Sequence, residues 1–303
     1  MGTKLNHSRL LPRLLPRLLP RLLRDFQRDF QLKVLKVSAW LGWQLESNWA
    51  EPLVFAIYSI IKPISSSLIL VFMYLVVTGG KTKTDMFVYV FVGNAFFMYV
   101  WVLFSMAWAI MSDREQYEML KFIYLSPIKI YTYLAGRGVA MFVMTTIAVW
   151  LNLLFGTLVL KIPLIIDWGW LSAYLLVGLA GIGALRIILA GIILIVPRHS
   201  GMITESIAGI FYLLCGVIFP IDTLPGWLIL IAKALPFTYW LDGMRRAVLG
   251  KSICSALAQY SNLTLLSILV LTTVVALIIS DRAFKLCERI ARRKGLLDRT
   301  TGY

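Results

Sequence analysis

The chain has 303 residues, of which 59% are hydrophobic and only 15% charged, against about 25% charged in a soluble domain. With a mean hydropathy of +0.80, it holds more apolar surface than one water-soluble core of this length encloses, and far too much for a disordered chain. The composition defines an integral membrane protein, and the formal charge of +15, from 30 Lys+Arg against 15 Asp+Glu, becomes a question of where the charges lie.

The N-terminal arm, residues 1–48, has two parts. Leu10–Arg21 repeats Leu-Leu-Pro-Arg three times, with proline at 12, 16 and 20. Proline at that spacing removes successive helix hydrogen bonds and crowds the preceding turn, so no ordinary α-helix is expected there. The same Pro and Arg interruptions leave no clean apolar stretch before a small-residue cleavage site, which predicts an uncleaved protein. From Arg24 the pattern changes. Phe26, Phe30, Val34, Val37 and Leu41 recur every three or four residues while Arg24, Arg28, Lys33 and Lys36 take other positions. This is the pattern of an amphipathic interface helix, with Trp40, Trp43 and Trp49 where the chain enters the membrane.

A spanning helix needs about 20 mostly apolar residues. Six segments qualify: Leu53–Val77, Met86–Met111, Ile130–Leu160, Trp168–Val196, Met202–Phe219 and Leu263–Ile279. Between the last two, Pro220, Pro225 and Pro236 divide an apolar stretch into Trp227–Leu235 and Phe237–Leu249, each too short to cross. Backbone of that kind is tolerated at membrane depth only where protein or a watery cavity satisfies it, so a re-entrant outer helical hairpin is expected. The fold class is all-α integral membrane, with a transmembrane domain over residues 49–280 and a basic tail over 281–303. With both termini inside, the cytoplasmic segments carry 21 basic residues against 7 outside, which orients the chain by the positive-inside rule.

No catalytic constellation is present. Two histidines, His7 and His199, stand far apart, and Cys215, Cys254 and Cys287 have neither a metal spacing nor a disulfide framework. Gly80-Lys81-Thr82 and Gly250-Lys251-Ser252 imitate a phosphate loop but lack the earlier glycine, where Leu75 and Arg245 stand. Three polar residues lie in apolar segments. Lys62 precedes Pro63 and is expected to snorkel to the cytoplasmic face. Arg186 costs about 2.5–3.5 kcal/mol on insertion scales, and an ion pair with Glu205 of the next span is the expected answer, with contact to an acidic substrate headgroup as the alternative. Aromatic residues crowd the second span at Phe96, Phe97, Tyr99, Trp101, Phe104 and Trp108, where lipid-facing positions are the default.

Two stretches carry more information. The loop after the second span reads Asp113-Arg-Glu-Gln-Tyr-Glu-Met-Leu-Lys-Phe-Ile-Tyr-Leu-Ser-Pro127, a short charged segment offering Asp113, Glu115 and Glu118 to the cytoplasm. The other begins Gly216-Val-Ile-Phe-Pro220-Ile-Asp-Thr-Leu-Pro225 and continues through Pro236, Tyr239, Asp242 and Arg245 to Gly250. Together they resemble the ABC-2 family of exporter permeases, in particular the branch of daunorubicin-resistance and nodulation-factor export permeases, from about Glu51 to Gly250. One departure is that Glu115-Gln-Tyr-Glu118-Met-Leu120 replaces the Glu-x-Gly-Thr-Leu-Glu of many members.

The resemblance implies a permease subunit that is not itself an enzyme. It has no cofactor of its own and pairs with a second permease, a copy or a relative, in the inner (plasma) membrane. A separate ATPase chain holds ATP and Mg and drives alternating access, exporting an amphipathic drug-like, lipid or glycolipid substrate. Asp113, Arg114, Glu115, Glu118, Leu120, Ser126 and Pro127 then form the coupling segment, flanked by the interface helix. Gly216, Phe219, Pro220, Leu224, Pro225, Pro236, Tyr239, Asp242 and Arg245 form the outer gate. The charge imbalance sits on cytoplasmic tails and implies no nucleic-acid partner. A membrane enzyme acting on lipid-linked substrates through Asp222, Asp242, Arg245 and Arg246, or an ion-coupled carrier, is the alternative.

Overall fold

The structure, a computed structural model, describes residues 11–48, 51–79, 85–196 and 200–296, without the side chains of 11–26, 103–107 and 200. Phe26, Trp49, Phe104, His199, Gly80-Lys81-Thr82 and the last seven residues of the tail thus lie outside what is described. The described residues form helices joined by short turns, with no strand among them: α1 (Leu11–Ser47), α2 (Pro52–Thr78), α3 (Asp85–Glu115), α4 (Leu120–Leu125), α5 (Ile130–Leu158), α6 (Trp168–Ile195), α7 (Ser200–Leu214), α8 (Gly226–Ala234), α9 (Pro236–Leu249), α10 (Ser255–Ala258) and α11 (Asn262–Arg293).

Among the described residues, five helices (α2, α3, α5, α6 and α11) are long and apolar enough to cross a bilayer. The chain is a multi-pass membrane protein. The expected fifth of six spans is not among them. Its apolar run continues to Phe219, but α7 has only 15 residues, about 22 Å at 1.5 Å per residue against about 30 Å of hydrocarbon. Gly216, with φ +70°, turns the chain just past the end of α7, as glycine does where helices stop. The expected last span lies within α11, which runs on without a break to Arg293.

The proline-rich repeat also departs from expectation, since α1 runs through it. Pro12 lies within this stretch of α1. Pro16 and Pro20 follow at four-residue spacing on one stripe of the helix, which leaves the bonds of intervening residues in place. Further along, α1 lies on α5 at backbone distance. A Cβ on Gly136 would stand 2.6 Å from Ser38 Cβ and 2.7 Å from the Leu35 carbonyl oxygen, and one on Gly42 would meet Ala140 and Arg137. Val34, Ser38 and Gly42 are buried and Phe30 and Leu41 half-buried, whereas Val37 is 63% exposed beside Trp40. The four described members of the expected apolar face, Phe30, Val34, Val37 and Leu41, are therefore divided between two faces.

At the centre stands α3, packed against α2, α5, α6, α7 and α9. Phe96, Phe97 and Tyr99 are core residues rather than lipid-facing ones, while Trp101 and Trp108 are exposed. Small residues let α6 approach its neighbours: Gly178 lies against Trp240 of α9, and Gly181 and Gly191 against Thr273 and Cys287 of α11. By contrast α2 buries only the stripe Pro63, Ser67 and Val71.

Candidate functional site

The turn between α3 and α5 is fixed by charges that the sequence reading turned outward. Asp113 has 0% exposure. Arg137 Nη1 donates to its Oδ1 at 2.8 Å, Tyr133 OH to its Oδ2 at 2.6 Å, and Arg137 Nη1 also donates to Tyr133 OH at 3.1 Å. Asp113 is thus not offered to the cytoplasm, because two side chains from the first two turns of α5 converge on it. The neighbouring Arg114 is buried too and reaches the carbonyls of Ile193 and Leu194, at 3.5 and 3.4 Å, in the last turn of α6. A cation there meets the negative end of the helix dipole. Glu118, in the left-handed region at φ +49°, closes the turn as Met119 N–H donates to the Asp113 carbonyl at 2.8 Å.

What the turn leaves outside is α4. Leu120 and Ile123 are buried, whereas Phe122 and Leu125 are 62% and 82% exposed. Glu118 is exposed and pairs loosely with Lys121 at 3.8 Å. Ser126 Oγ donates to the Ile123 carbonyl at 2.8 Å, ending α4 ahead of the exposed Pro127. Arg292 of α11 lies over the Tyr124 ring, at 4.9 Å.

The three intramembrane candidates separate. Lys62 is exposed, 5.2 Å above the Tyr58 ring. Glu205 is exposed on α7 and makes no ion pair with Arg186. Arg186 instead reaches toward α5, with Nη1 against Gly138; it is 7% exposed, and its Nε and Nη2 find no acceptor among the described residues.

At the opposite end of these helices, α9 is buried from Phe237 to Leu249. Pro225 precedes α8 and Pro236 opens α9, positions where proline favours helix initiation. Arg245 Nη2 donates to the Gly216 and Val217 carbonyls, at 2.7 and 3.0 Å, and its guanidinium lies 3.6 Å over the Tyr89 ring. Tyr89 OH donates to the same Gly216 carbonyl at 2.8 Å. Arg246 donates to Asp242 at 2.7 Å and to the Tyr260 and Leu257 carbonyls at 2.7 and 2.6 Å. Asp222 accepts from the N–H groups of Ser255 and Ala256 at 2.7 and 2.8 Å, holding the start of α10. Burial, and after it the Asp222 and Asp242 carboxylates, pushes the Cys254 thiol up to about 11. Tyr239 is buried, Phe219, Pro220, Leu224 and Pro236 are half-buried, and Pro225 is exposed.

One polar cluster escaped the sequence reading. Ser67 Oγ on α2 accepts from Asn94 Nδ2 of α3 at 3.1 Å and from Asn152 Nδ2 of α5 at 2.6 Å. Tyr212 OH of α7 donates to Asn94 Oδ1 at 3.4 Å. Amides inside apolar runs were the available signal, since polar side chains at such depth hydrogen-bond across helices.

Long apolar helices, with a connecting turn fastened to several of them at once, are the build of a multi-pass membrane protein. Residues 35–249 match the family model of the ABC-2 type transporter, and the chain belongs to that family. It is thereby a permease component of an ABC transporter, a subunit that works with an ABC ATPase. No curated protein matches the chain.

Proposed function

We propose that the permease exports an amphipathic drug-like, lipid or glycolipid compound by alternating access, in the manner of the daunorubicin-resistance and nodulation-factor branch. It acts in the inner membrane with both termini cytoplasmic; the short α7 together with the turn at Gly216, held by Arg245, returns the chain to the α9 side before α11, and the excess of Lys and Arg supports that orientation. A second permease, a copy or a relative, covers the exposed apolar faces of α2 and α7. ATP and Mg are held by the ATPase chain, which docks on α4.

The observation that carries this reading is the fastening of the α3–α5 turn. Asp113 joins it to α5 and Arg114 joins it to α6, while α4 presents Phe122 and Leu125 outward, with Glu118 exposed just ahead of it. A push on α4 is therefore passed to three spans together. The alternative of a membrane enzyme loses its proposed site, because Asp222, Asp242 and Arg246 are engaged in bonds that hold α9 and α10.

The test is reconstitution with the ATPase chain. Alanine at both Glu115 and Glu118 is expected to lower substrate-stimulated ATP hydrolysis and transport together. Full activity in that double variant would remove these two residues from the ATPase contact.

A further inference from the structure

Arg186 is a cation without a counter-ion among the described residues. Its helix is apolar over 28 residues, and the charged group acting on it among the described residues is Arg137, of like sign. Arg137 is answered by Asp113 through Nη1. Arg186 has no such answer among the described residues. Its Nε and Nη2 both lack an acceptor among the described residues, and these two nitrogens lie along one edge of the guanidinium. That edge presents two parallel N–H bonds, the arrangement that matches two oxygens of a carboxylate or phosphate.

The surroundings are shaped to hold the group. A Cβ on Gly138 would stand 1.9 Å from Nη1 and 3.2 Å from Nη2, so the guanidinium occupies space that only glycine leaves. From Ile195, at the end of α6 beside the α3–α5 turn, Arg186 lies nine residues into the helix, about 13 Å along its axis. At that depth water does not satisfy a cation, and ionisable groups are answered by one another or by what passes.

We propose that Arg186 receives the anionic headgroup of an amphiphile, a phosphate or a carboxylate bound side-on by Nε and Nη2. The proposal rests on the permease reading and narrows its ligand to amphiphiles with an acidic head. Arg137 links the group to Asp113 and so to the α3–α5 turn, which places headgroup binding in electrostatic contact with the pair that holds the ATPase-facing segment. Cargo and a resident lipid carry the same headgroup chemistry, and the experiment separates them.

The complete transporter, this chain with its ATPase partner, is placed in phosphatidylcholine nanodiscs and titrated with dodecyl phosphate or with neutral dodecyl maltoside. Wild type is expected to respond in ATPase rate to the anionic probe at a concentration about tenfold lower or more. Arg186→Gln is expected to erase that preference, Arg186→Lys to keep part of it, and Gly138→Ala to weaken it by displacing the guanidinium. The last two variants keep the charge and serve if Arg186→Gln does not assemble. Uptake of labelled dodecyl phosphate into inverted vesicles identifies cargo as the source; phosphatidylglycerol retained on the purified complex without uptake identifies a resident lipid.

Equal response to both probes in wild type, or an undiminished preference in Arg186→Gln, overturns the proposal. So does loss of permease pairing in that variant with the preference intact, since the second copy would then be the partner of Arg186. Failure of any ATPase chain to copurify is a separate outcome, and it sinks the permease reading itself.

Discussion

Arg246, at the end of the bundle where α9 lies, directs three nitrogens at Asp242 and two backbone carbonyls. Arg186, toward the other end, has two nitrogens with no acceptor among the described residues. Both are buried arginines, yet among the described residues one is answered and the other is not. The same contrast runs through their surroundings. The α9 end is closed by internal bonds and close packing, whereas the α4 end presents Phe122 and Leu125 outward on a turn held by buried charge. Desolvated charge is costly unless paired, and among the described residues only the α4 end leaves a buried arginine in that position, which is the ground for the headgroup proposal.

The largest expected effect comes from removing a buried anion at each end. Asp113→Ala leaves Arg137 with only a tyrosine hydroxyl and should lower stability by about 3–5 kcal/mol. Asp242→Ala leaves Arg246 two carbonyls and should cost about 1.5–3 kcal/mol. Thermal unfolding in detergent ranks the two, and the opposite order would break the contrast. Next comes packing at the α9 end. Gly178→Ala drives a Cβ to 2.0 Å from Trp240 Nε1, for a loss of about 1–3 kcal/mol. Gly183→Ala, with no atom within 4 Å of its Cβ, should instead gain about 0.5–1 kcal/mol from helix propensity. Both are read in the same unfolding assay.

The double change Phe122→Ala with Leu125→Ala should leave unfolding unchanged, because both side chains are exposed. It should weaken binding of the ATPase chain by about tenfold or more, as loss of apolar anchors does; a pull-down titration measures it. Smallest is Lys251→Ala. Its 2.6 Å pair with Asp85 joins two exposed side chains, and its loss should stay within about 1 kcal/mol.

Much of the bundle was legible because a bilayer demands long apolar runs. Sequence and structure agree that the third and fourth spans begin at Ile130 and Trp168. At Trp168, Asp167 accepts the N–H groups of Gly169 and Trp170 as a cap. The apolar run from Met202 misled, because composition does not show where a helix stops. Gly216 turns the chain, and its carbonyl is held by Arg245, far along the sequence. Asp113 misled for a related reason: its partners Tyr133 and Arg137 belong to the next span. The Ser67–Asn94–Asn152 cluster is marked in the sequence by amides inside apolar runs, but which helices they join depends on packing. Arg186 was legible as a residue out of place. Its lack of a partner was not, since that depends on α5 bringing a glycine, rather than a carboxylate, to meet it.

Gly93 and Arg245 carry a consequence for how this permease changes over generations. A Cβ at position 93 would stand 1.9 Å from Arg245 Nη2 and 2.7 Å from the Val217 carbonyl oxygen, on the strut that holds the chain reversal after α7. Variation at this strut is one-sided: the Val217 backbone closes position 93 to any side chain even when Arg245 is shortened, whereas Arg245 can be truncated with glycine still in place.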